Sequence, residues 1–267
     1  MGMALLGGKV IVIIGGTTGL GYAAAEACLA EGARVVAVGR NPESAAEAAR
    51  RLGAQARVET GDACDPETAV RAIAVAREAF GGFDGLYHVA GGSGRRMGDG
   101  PLHEITDEGW EKTLQLNLTS VFHSNRAAVR AFLEAGTGGS ILNMGSVLGF
   151  SPSPDFFSTH AYAATKAAIE GFSQSVASRY AGNDIRVNVV APALVETPMA
   201  RRAAGDEVIM DFIRKKQPLD GGRIGKPEDL NGAVVYFLSD AARFTTGQVL
   251  YVDGGWRLSE PGANQTS

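Results

Sequence analysis

The sequence of 267 residues offers little thiol or imidazole chemistry, with two cysteines and four histidines. Cys28 and Cys64 stand in different segments, without the spacing of metal ligands and without a histidine nearby in the sequence. Metal centres and thiol nucleophiles need such partners. We therefore expect no metal site, and we interpret both cysteines as buried thiols of a protein from a reducing compartment.

Positive charge is not in surplus, and long apolar runs are missing. The net charge is −4 and no basic stripe is visible, which argues against a nucleic-acid partner. The apolar run at 10–14 is far too short to cross a bilayer, and the start of the chain lacks a secretory pattern. We expect a cytoplasmic protein that binds neither nucleic acid nor membrane.

Short runs rich in valine and isoleucine alternate with longer helical patterns along the chain. The predicted strands lie at 9–16, 34–39, 56–62, 83–91, 139–146, 185–192 and 248–255. Continuous apolar strands between helices are typical of βαβ units, whose parallel sheet is covered on both faces. The sequence predicts an α/β, doubly wound, Rossmann-like fold with a seven-stranded parallel sheet and helices on both faces.

No change of composition marks a second domain, so we expect one domain over 1–267. Two segments interrupt the alternation, at 149–158 and 196–222, and both follow predicted strands. Loops at the carboxyl ends of parallel strands form the ligand site of such sheets. We interpret 196–222 as a substrate-loop insertion and 257–267 as a polar, frayed tail.

Glycines follow the first predicted strand directly. Gly15, Gly19 and Gly21 stand where a strand passes into a helix, in the order G-x-x-x-G-x-G. Glycine lets the backbone approach a pyrophosphate there, and the helix N-terminus supplies free N–H groups. The pattern predicts a dinucleotide site, with an ordinary glycine-rich turn as the alternative.

The end of the second strand predicts which dinucleotide binds. An NAD site places a carboxylate at this point to bind the ribose 2′-hydroxyl. Here Gly39 is followed by Arg40, whose guanidinium suits a 2′-phosphate. We predict NADP(H), with NAD(H) as the alternative. Asp62, after the third strand, is placed to meet the adenine, or else it caps the next helix.

Tyr162 and Lys166 are four residues apart in a predicted helix and so lie on one face. Hydride transfer between a nicotinamide and an alcohol or carbonyl also moves a proton. A tyrosine pKa of about 10 is too high for that task near neutrality, and a nearby ammonium favours the phenolate. The pair is either an acid/base device or a solvated face.

The remaining motifs decide between these readings. They are GGTTGLG at 15–21, the asparagine of LQLNLTS, GS at 145–146, YAATK at 162–166 and TGQVLYVDGG at 246–255. In this register the sequence resembles the short-chain dehydrogenase/reductase family, in its compact single-domain branch, over nearly the whole chain.

The resemblance implies a catalytic tetrad of Asn117, Ser146, Tyr162 and Lys166. Tyr162 would be the acid/base, and Lys166 would lower its pKa and hold the nicotinamide ribose. Ser146 would bind the substrate oxygen, and Asn117 would keep a water in a proton relay. The cofactor residues so implied are Gly15, Thr17, Thr18, Gly19, Leu20, Gly21, Gly39, Arg40, Asp62, Ala63, Ala90, Gly91, Tyr162, Lys166, Pro192, Val195 and Thr197.

The sequence departs from the family pattern at several points. Ile14 replaces the usual threonine before the first glycine, and His88 with Val89 replaces the usual Asn-Asn pair. Ala193 replaces the glycine after Pro192. The gap between Ser146 and Tyr162 is longer than usual. The longer segment is expected to bulge beside the active site, where Phe156 and Phe157 can contact a substrate. The other predicted substrate contacts are Ser146, His160 and Met199.

The expected activity is hydride transfer between NADP(H) and a secondary alcohol or ketone, of the carbonyl reductase or 3-oxoacyl reductase type. A non-catalytic dinucleotide sensor on the same fold is the alternative, since fold alone does not determine function. An epimerase or dehydratase of the longer branch would need a separate substrate domain. The resemblance also implies a homo-oligomer, a tetramer or dimer, although the apolar helix faces fit packing on the sheet equally well.

Overall fold

A computed structural model describes residues 4–197, 200, 203 and 205–260. The strands are β1 (Val10–Ile14), β2 (Arg34–Gly39), β3 (Ala56–Thr60), β4 (Gly85–His88), β5 (Gly139–Met144), β6 (Ile185–Pro192) and β7 (Val249–Val252). The α-helices found there are α1 (Gly19–Ala30), α2 (Pro42–Leu52), α3 (Pro66–Phe80), α4 (Asp107–Leu114), α5 (Ser120–Ala135), α6 (His160–Tyr180), α7 (Glu207–Lys216) and α8 (Asn231–Leu238).

The strands form one seven-stranded sheet in the order β3-β2-β1-β4-β5-β6-β7, and all neighbours are parallel. The predicted fold class is confirmed. The chain runs outward from β1 to β3 and then crosses back to β4, so the order reverses between β1 and β4. At such a switch point the carboxyl ends of the strands leave a crevice for a ligand.

The sheet is buried on both faces because its side chains alternate along each strand. In β1, Ile11 and Ile13 pack into one apolar cluster with α1 and α8. Val10, Val12 and Ile14 pack into another with α3 and α5. Two covered faces explain why the strand is apolar at every position.

The helical region from Asp107 to Ala135 is not uniform. A π-helical turn, Gln115–Thr119, separates α4 from α5. Such a turn accommodates one extra residue within a helix and is frequent at functional sites. It carries Asn117, which is fully buried. Within the described residues, no helix is both long and apolar enough to cross a membrane.

Candidate active site

The glycine turn between β1 and α1 is tightly packed. Gly15 has φ +95°, and a Cβ on Gly21 would come within 2.0 Å of the Gly15 carbonyl oxygen. Thr18, the N-cap residue of α1, makes no side-chain capping bond within the described chain, and the first turn of α1 contains no acidic residue. The N–H groups at this helix end are therefore free to bind an anion, as a pyrophosphate site requires.

Ile14 does not leave this turn loose. Its carbonyl oxygen accepts hydrogen bonds from the backbone N–H groups of Val89 and Ala90, both at 2.9 Å. The N–H groups of Gly15 and Gly16 donate to Val38 at 2.8 and 2.9 Å. Backbone bonds thus hold the turn to both neighbouring strands without a threonine hydroxyl.

The predicted ribose end of the site lies beyond β2. A Cβ on Gly39 would come within 1.9 Å of the Thr17 hydroxyl, and Arg40 is exposed. Asp62 accepts a hydrogen bond from the Cys64 N–H at 2.9 Å. Burial, with a smaller effect of Asp62, raises the pKa of Cys64 to about 11, and Arg40 acts in the opposite direction. Arg40 therefore lies close to the turn formed by Asp62 and Cys64.

The alternative reading of Asp62, as the cap of the next helix, is wrong in detail because Asp65 is the N-cap of α3. Asp62 instead forms a turn just before it. The expectation for the thiols holds for Cys28, which is fully buried, whereas Cys64 is only half-buried.

The four residues of the predicted tetrad lie together at the carboxyl ends of β4 and β5. The Lys166 Nζ is 5.5 Å from the centroid of the Tyr162 ring and donates to the Met144 carbonyl at 2.8 Å. Ser146, directly after β5, lies close enough to the Tyr162 side chain to lower its pKa. This arrangement suits proton transfer to an oxygen bound between Ser146 and Tyr162.

Asn117 approaches the group from the π-helical turn. Its amide oxygen accepts from the Gly92 N–H at 3.0 Å, and its Nδ2 donates to the Gly92 carbonyl at 2.9 Å and to the Thr113 carbonyl at 3.0 Å. A Cβ on Gly91 would lie 2.7 Å from the Asn117 Oδ1 and 3.9 Å from the Lys166 Nζ. Gly91 is thus positioned beside both side chains, and the neighbouring Ala90 lies against Gly15, since a Cβ on Gly15 would lie 2.6 Å from the Ala90 nitrogen.

Burial controls the ionisation of the central pair. Burial lowers the pKa of Lys166 to about 7. Burial raises the pKa of Tyr162, and the nearby Ser146 side chain lowers it by a smaller amount. In the free chain the net pKa shift of Tyr162 is therefore upward, because removal from water disfavours the charged phenolate. The lowering of that pKa by Lys166 stays a prediction.

His88 has a complete set of partners beneath the site. It is fully buried, with Nδ1 2.7 Å from the Ser124 hydroxyl and Nε2 3.3 Å from the Ser120 hydroxyl. Burial, and to a smaller extent Lys166, lower its pKa to about 3. His88 is therefore a core histidine with both ring nitrogens satisfied. Among the described residues, no cluster of histidine, cysteine or acidic side chains is arranged to hold a metal ion.

Two of the predicted substrate residues, Phe156 and Phe157, pack beside the segment that follows Ser146. The Phe156 ring packs at a tilt against Phe212 of α7, with the ring centroids 4.9 Å apart, and Phe157 packs edge-on against Trp256 at 6.0 Å. These rings belong to an apolar cluster that also contains Val147. His160 is exposed at the start of α6, where it lines a cavity of about 40 Å³. Met199 lies outside the described residues, as do residues 261–267 of the predicted tail.

The loop after β6 is joined to the end of α7. Val195 pairs with Gly225 as an isolated parallel bridge, and the Thr197 hydroxyl donates to the Val195 carbonyl at 3.3 Å. Gln217 bonds both the N–H and the carbonyl of Leu194. Pro192 ends β6.

Asp99 and Gln217 are buried polar residues that no motif in the sequence indicates. Asp99 accepts hydrogen bonds from the backbone N–H groups of Ala161 and Tyr162 at 3.0 and 2.8 Å. In the sequence it stands between two glycines, which indicates only an exposed turn. No local pattern signals that such a residue folds onto a helix some 60 positions later.

Comparison with known proteins agrees with this geometry. A family model described as enoyl-(acyl carrier protein) reductase matches residues 15–257. The NADP-dependent (R)-specific alcohol dehydrogenase of Lentilactobacillus kefiri is 35% identical over 255 residues, which are 94% of this chain and 97% of that protein. The chain belongs to the short-chain dehydrogenase/reductase family.

Other short-chain dehydrogenase/reductase proteins are equally similar. The D-threitol dehydrogenase of Mycolicibacterium smegmatis is 35% identical over 258 residues, covering 95% of this chain and 94% of that protein. The structure of a short-chain type dehydrogenase/reductase from Mycobacterium ulcerans aligns with a TM-score of 0.86 at 31% identity, over 94% of this chain and 90% of that one. The predicted enzyme class is confirmed: the chain is an NAD(P)-dependent short-chain dehydrogenase/reductase acting on CH–OH groups.

Proposed function

We propose that the chain transfers a hydride between NADP(H) and a secondary alcohol or ketone, as a carbonyl reductase or 3-oxoacyl reductase type of enzyme. The proposal rests on the meeting of Asn117, Ser146, Tyr162 and Lys166 beside the glycine turn. NADP(H), when bound, supplies or accepts the hydride.

Each residue has a distinct role in this proposal. In ketone reduction, Tyr162 donates its proton to the carbonyl oxygen while Ser146 donates a hydrogen bond to the same atom. The raised pKa keeps Tyr162 protonated near neutral pH, which suits an acid. For alcohol oxidation, the positive charge of the oxidised nicotinamide adds to that of Lys166 in favouring the phenolate. Asn117 keeps a water in the relay that replaces protons from solvent, and its hydrogen bonds with the Gly92 backbone hold its side chain in place.

The cofactor preference has its own support. A guanidinium at Arg40 can pair with a 2′-phosphate, and the neighbouring Gly39 presents no carboxylate. The related enzyme from Lentilactobacillus kefiri is described as NADP-dependent. We propose NADP(H) as the physiological cofactor. The other predicted cofactor residues, in the glycine turn and after β3, β4 and β6, would complete its binding site.

The test is an assay with a panel of secondary ketones, 3-oxoacyl thioesters and enoyl thioesters. Turnover of each substrate is measured as the rate of NADPH oxidation. Tyr162→Phe is expected to lower kcat by roughly a hundredfold to ten-thousandfold, the usual contribution of a general acid. NADPH binding, measured by fluorescence titration, should be retained because the remaining cofactor residues and the aromatic ring at position 162 are kept.

Tyr180→Phe is the control, since Tyr180 ends the same helix far from Ser146. Full activity of the Tyr162→Phe protein would overturn the assigned role. An unchanged protein that binds NADPH tightly but turns over no member of the panel would favour the dinucleotide sensor. Turnover of enoyl thioesters alone would replace carbonyl reduction by reduction of a carbon–carbon double bond.

We also propose a homo-oligomer, a tetramer or dimer, that assembles through α5. Phe122 and Leu133 are 41% and 44% exposed on this helix, and the Arg126 guanidinium lies over the Phe122 ring. Sedimentation velocity on the full chain should show the oligomer, and Phe122→Glu should weaken it because a carboxylate would be buried at the contact. A monomer in the unchanged protein would reject this assembly.

A further inference from the structure

The N-terminus of α6, the helix that carries Tyr162, lacks a cap from its own sequence. Thr159 stands at the N-cap position but makes no side-chain capping bond within the described chain. Asp99, in the loop between β4 and α4, accepts from the Ala161 and Tyr162 N–H groups instead, one with each carboxylate oxygen. Asp99 is only 5% exposed, so water has little access to the N–H groups that its carboxylate caps.

The loop that supplies Asp99 is held in one shape. Gly94 has φ +74°, a conformation that favours glycine, and its carbonyl accepts from the Asp99 N–H at 3.1 Å. A Cβ on Gly94 would lie 2.7 Å from the Asp99 Cβ and 2.5 Å from the Thr113 hydroxyl. The carboxylate is thus delivered from a packed backbone, not from a freely moving turn.

The same loop also holds Asn117. Gly92, two residues before Gly94, makes the paired amide hydrogen bonds with Asn117. One short segment, residues 92–99, therefore contacts two of the four site residues, at Asn117 through its start and at Tyr162 through its end. The spacing of those two residues depends on this segment.

We propose that Asp99 is a positioning residue for the reaction, which sets the position of Tyr162 relative to Asn117 and the cofactor by capping α6 from the 92–99 segment. The inference rests on the proposed function of Tyr162. A carboxylate at a helix N-terminus is stabilised by the free N–H groups and the positive end of the helix dipole. A cap within the sequence of α6 would stabilise the helix equally but would leave it unconnected to the 92–99 segment.

The test compares Asp99→Ala and Asp99→Asn with the unchanged full-length protein. We measure kcat and KM for a ketone substrate, the Kd for NADPH, and hydrogen exchange of a peptide covering residues 158–164. Asp99→Ala should lower kcat by roughly tenfold to a hundredfold, since misplacing a reacting group by about 1 Å costs on that order. NADPH affinity should change little, and the Ala161 and Tyr162 amides should exchange faster.

Asp99→Asn keeps one acceptor oxygen and should recover part of kcat, which makes it the informative variant if Asp99→Ala does not fold. Asp65→Ala is the control. Asp65 caps α3 through the Glu67 N–H at 3.0 Å, and its loss should lower stability without lowering kcat.

The possible outcomes separate the two proposals. A kcat that falls in step with the loss of capping, at constant NADPH affinity, supports the positioning role. Unchanged kcat with faster amide exchange would overturn it, because the cap would then be structural only. A fall in NADPH affinity that accounts for the whole loss would also overturn it. No turnover by the unchanged protein would instead reject the proposed function, and the role of Asp99 with it.

Discussion

At the scale of single residues, the consequence of a departure from the family's sequence pattern depends on how deeply the residue is buried. His88 replaces a residue that is usually asparagine in the family, yet its ring satisfies both nitrogens with Ser120 and Ser124. Ile14 replaces a threonine, and backbone bonds take over the connection to Val89 and Ala90. At these buried positions neighbouring groups thus satisfy the replaced residue. Arg40, in contrast, is exposed after β2, and its predicted role depends on its own charge.

The charge of Arg40 yields a prediction about the cofactor. Arg40→Asp removes a charge-assisted hydrogen bond to a 2′-phosphate and adds a repulsive carboxylate. Such bonds contribute about 1.5–3 kcal/mol, so NADPH affinity should fall by roughly tenfold to a hundredfold while NADH affinity holds or rises. Calorimetric titration with both dinucleotides measures the change.

Arg50→Asp is the control for this substitution, since Arg50 is an exposed arginine of α2 that pairs with Glu47. Tighter binding of NADH than of NADPH by the unchanged protein would contradict the assignment of Arg40.

At the scale of elements, two irregularities shape the site. The glycine turn brings the N-terminus of α1 against the Gly15 backbone. The π-helical turn between α4 and α5 presents Asn117, and the Ser120 hydroxyl at its end donates to the Leu116 carbonyl at 2.7 Å. Both are places where the regular element is broken so that the backbone can approach a ligand or a partner.

Gly21→Ala is the prediction at this scale. The new methyl group would come within 2.0 Å of the Gly15 carbonyl and 2.8 Å of the Val89 Cγ1. The turn must open, so we expect a stability loss of about 1–3 kcal/mol and much weaker NADPH binding. Thermal unfolding and fluorescence titration measure the two effects.

The matched control is Gly171→Ala within α6, where an added Cβ meets no atom within 4 Å. There the exchange should stabilise the protein by about 0.5–1 kcal/mol, because alanine is the better helix former. Equal effects of the two substitutions would mean that the turn is less tightly packed than described.

At the scale of the whole molecule, a polar layer runs through the core beneath the site. His88 contacts Ser124, and the neighbouring Asn125 exchanges amide hydrogen bonds of 2.8 and 2.9 Å with Asn143 of β5. Asn143 donates in turn to Ser173 of α6 at 3.0 Å. The layer joins the sheet to α5 and α6, and each of its bonds is costly to break in the absence of water.

This layer predicts how stability responds to acid. His88 has a pKa of about 3 in the folded chain and about 6.5 when unfolded. Since the unfolded chain binds the extra proton, stability is lost as pH falls from about 6.5 toward 3, by up to about 1.4 kcal/mol per pH unit. His88→Asn should destabilise the protein at neutral pH and reduce this slope.

Denaturant unfolding at pH values from about 4 to about 7 measures how the free energy of unfolding changes with pH. This range covers most of the interval between the folded and unfolded pKa of His88, about 3 and about 6.5. His103→Asn, a change at an exposed histidine, is the control. An unchanged slope in the His88→Asn protein would show that other groups govern acid unfolding.

The sequence by itself determined the sheet, the order of strands and helices, and the family. The reason is that these features repeat locally: apolar runs at β1, β2 and β6, glycines at Gly15 and Gly21, and the four-residue spacing of Tyr162 and Lys166. The tetrad residues could be named from motifs in register, and the structure brings them together, while their catalytic roles stay predictions.

Tertiary structure alone decided which distant residues meet. Asp99 caps α6, Ser120 and Ser124 pair with His88, and Phe156 packs against Phe212. The fold also decided that burial raises the Tyr162 pKa and lowers that of Lys166. These contacts and pKa shifts depend on the meeting of segments far apart in the chain or on the exclusion of water. Neither cause produces a hydrophobic periodicity or a motif in the sequence.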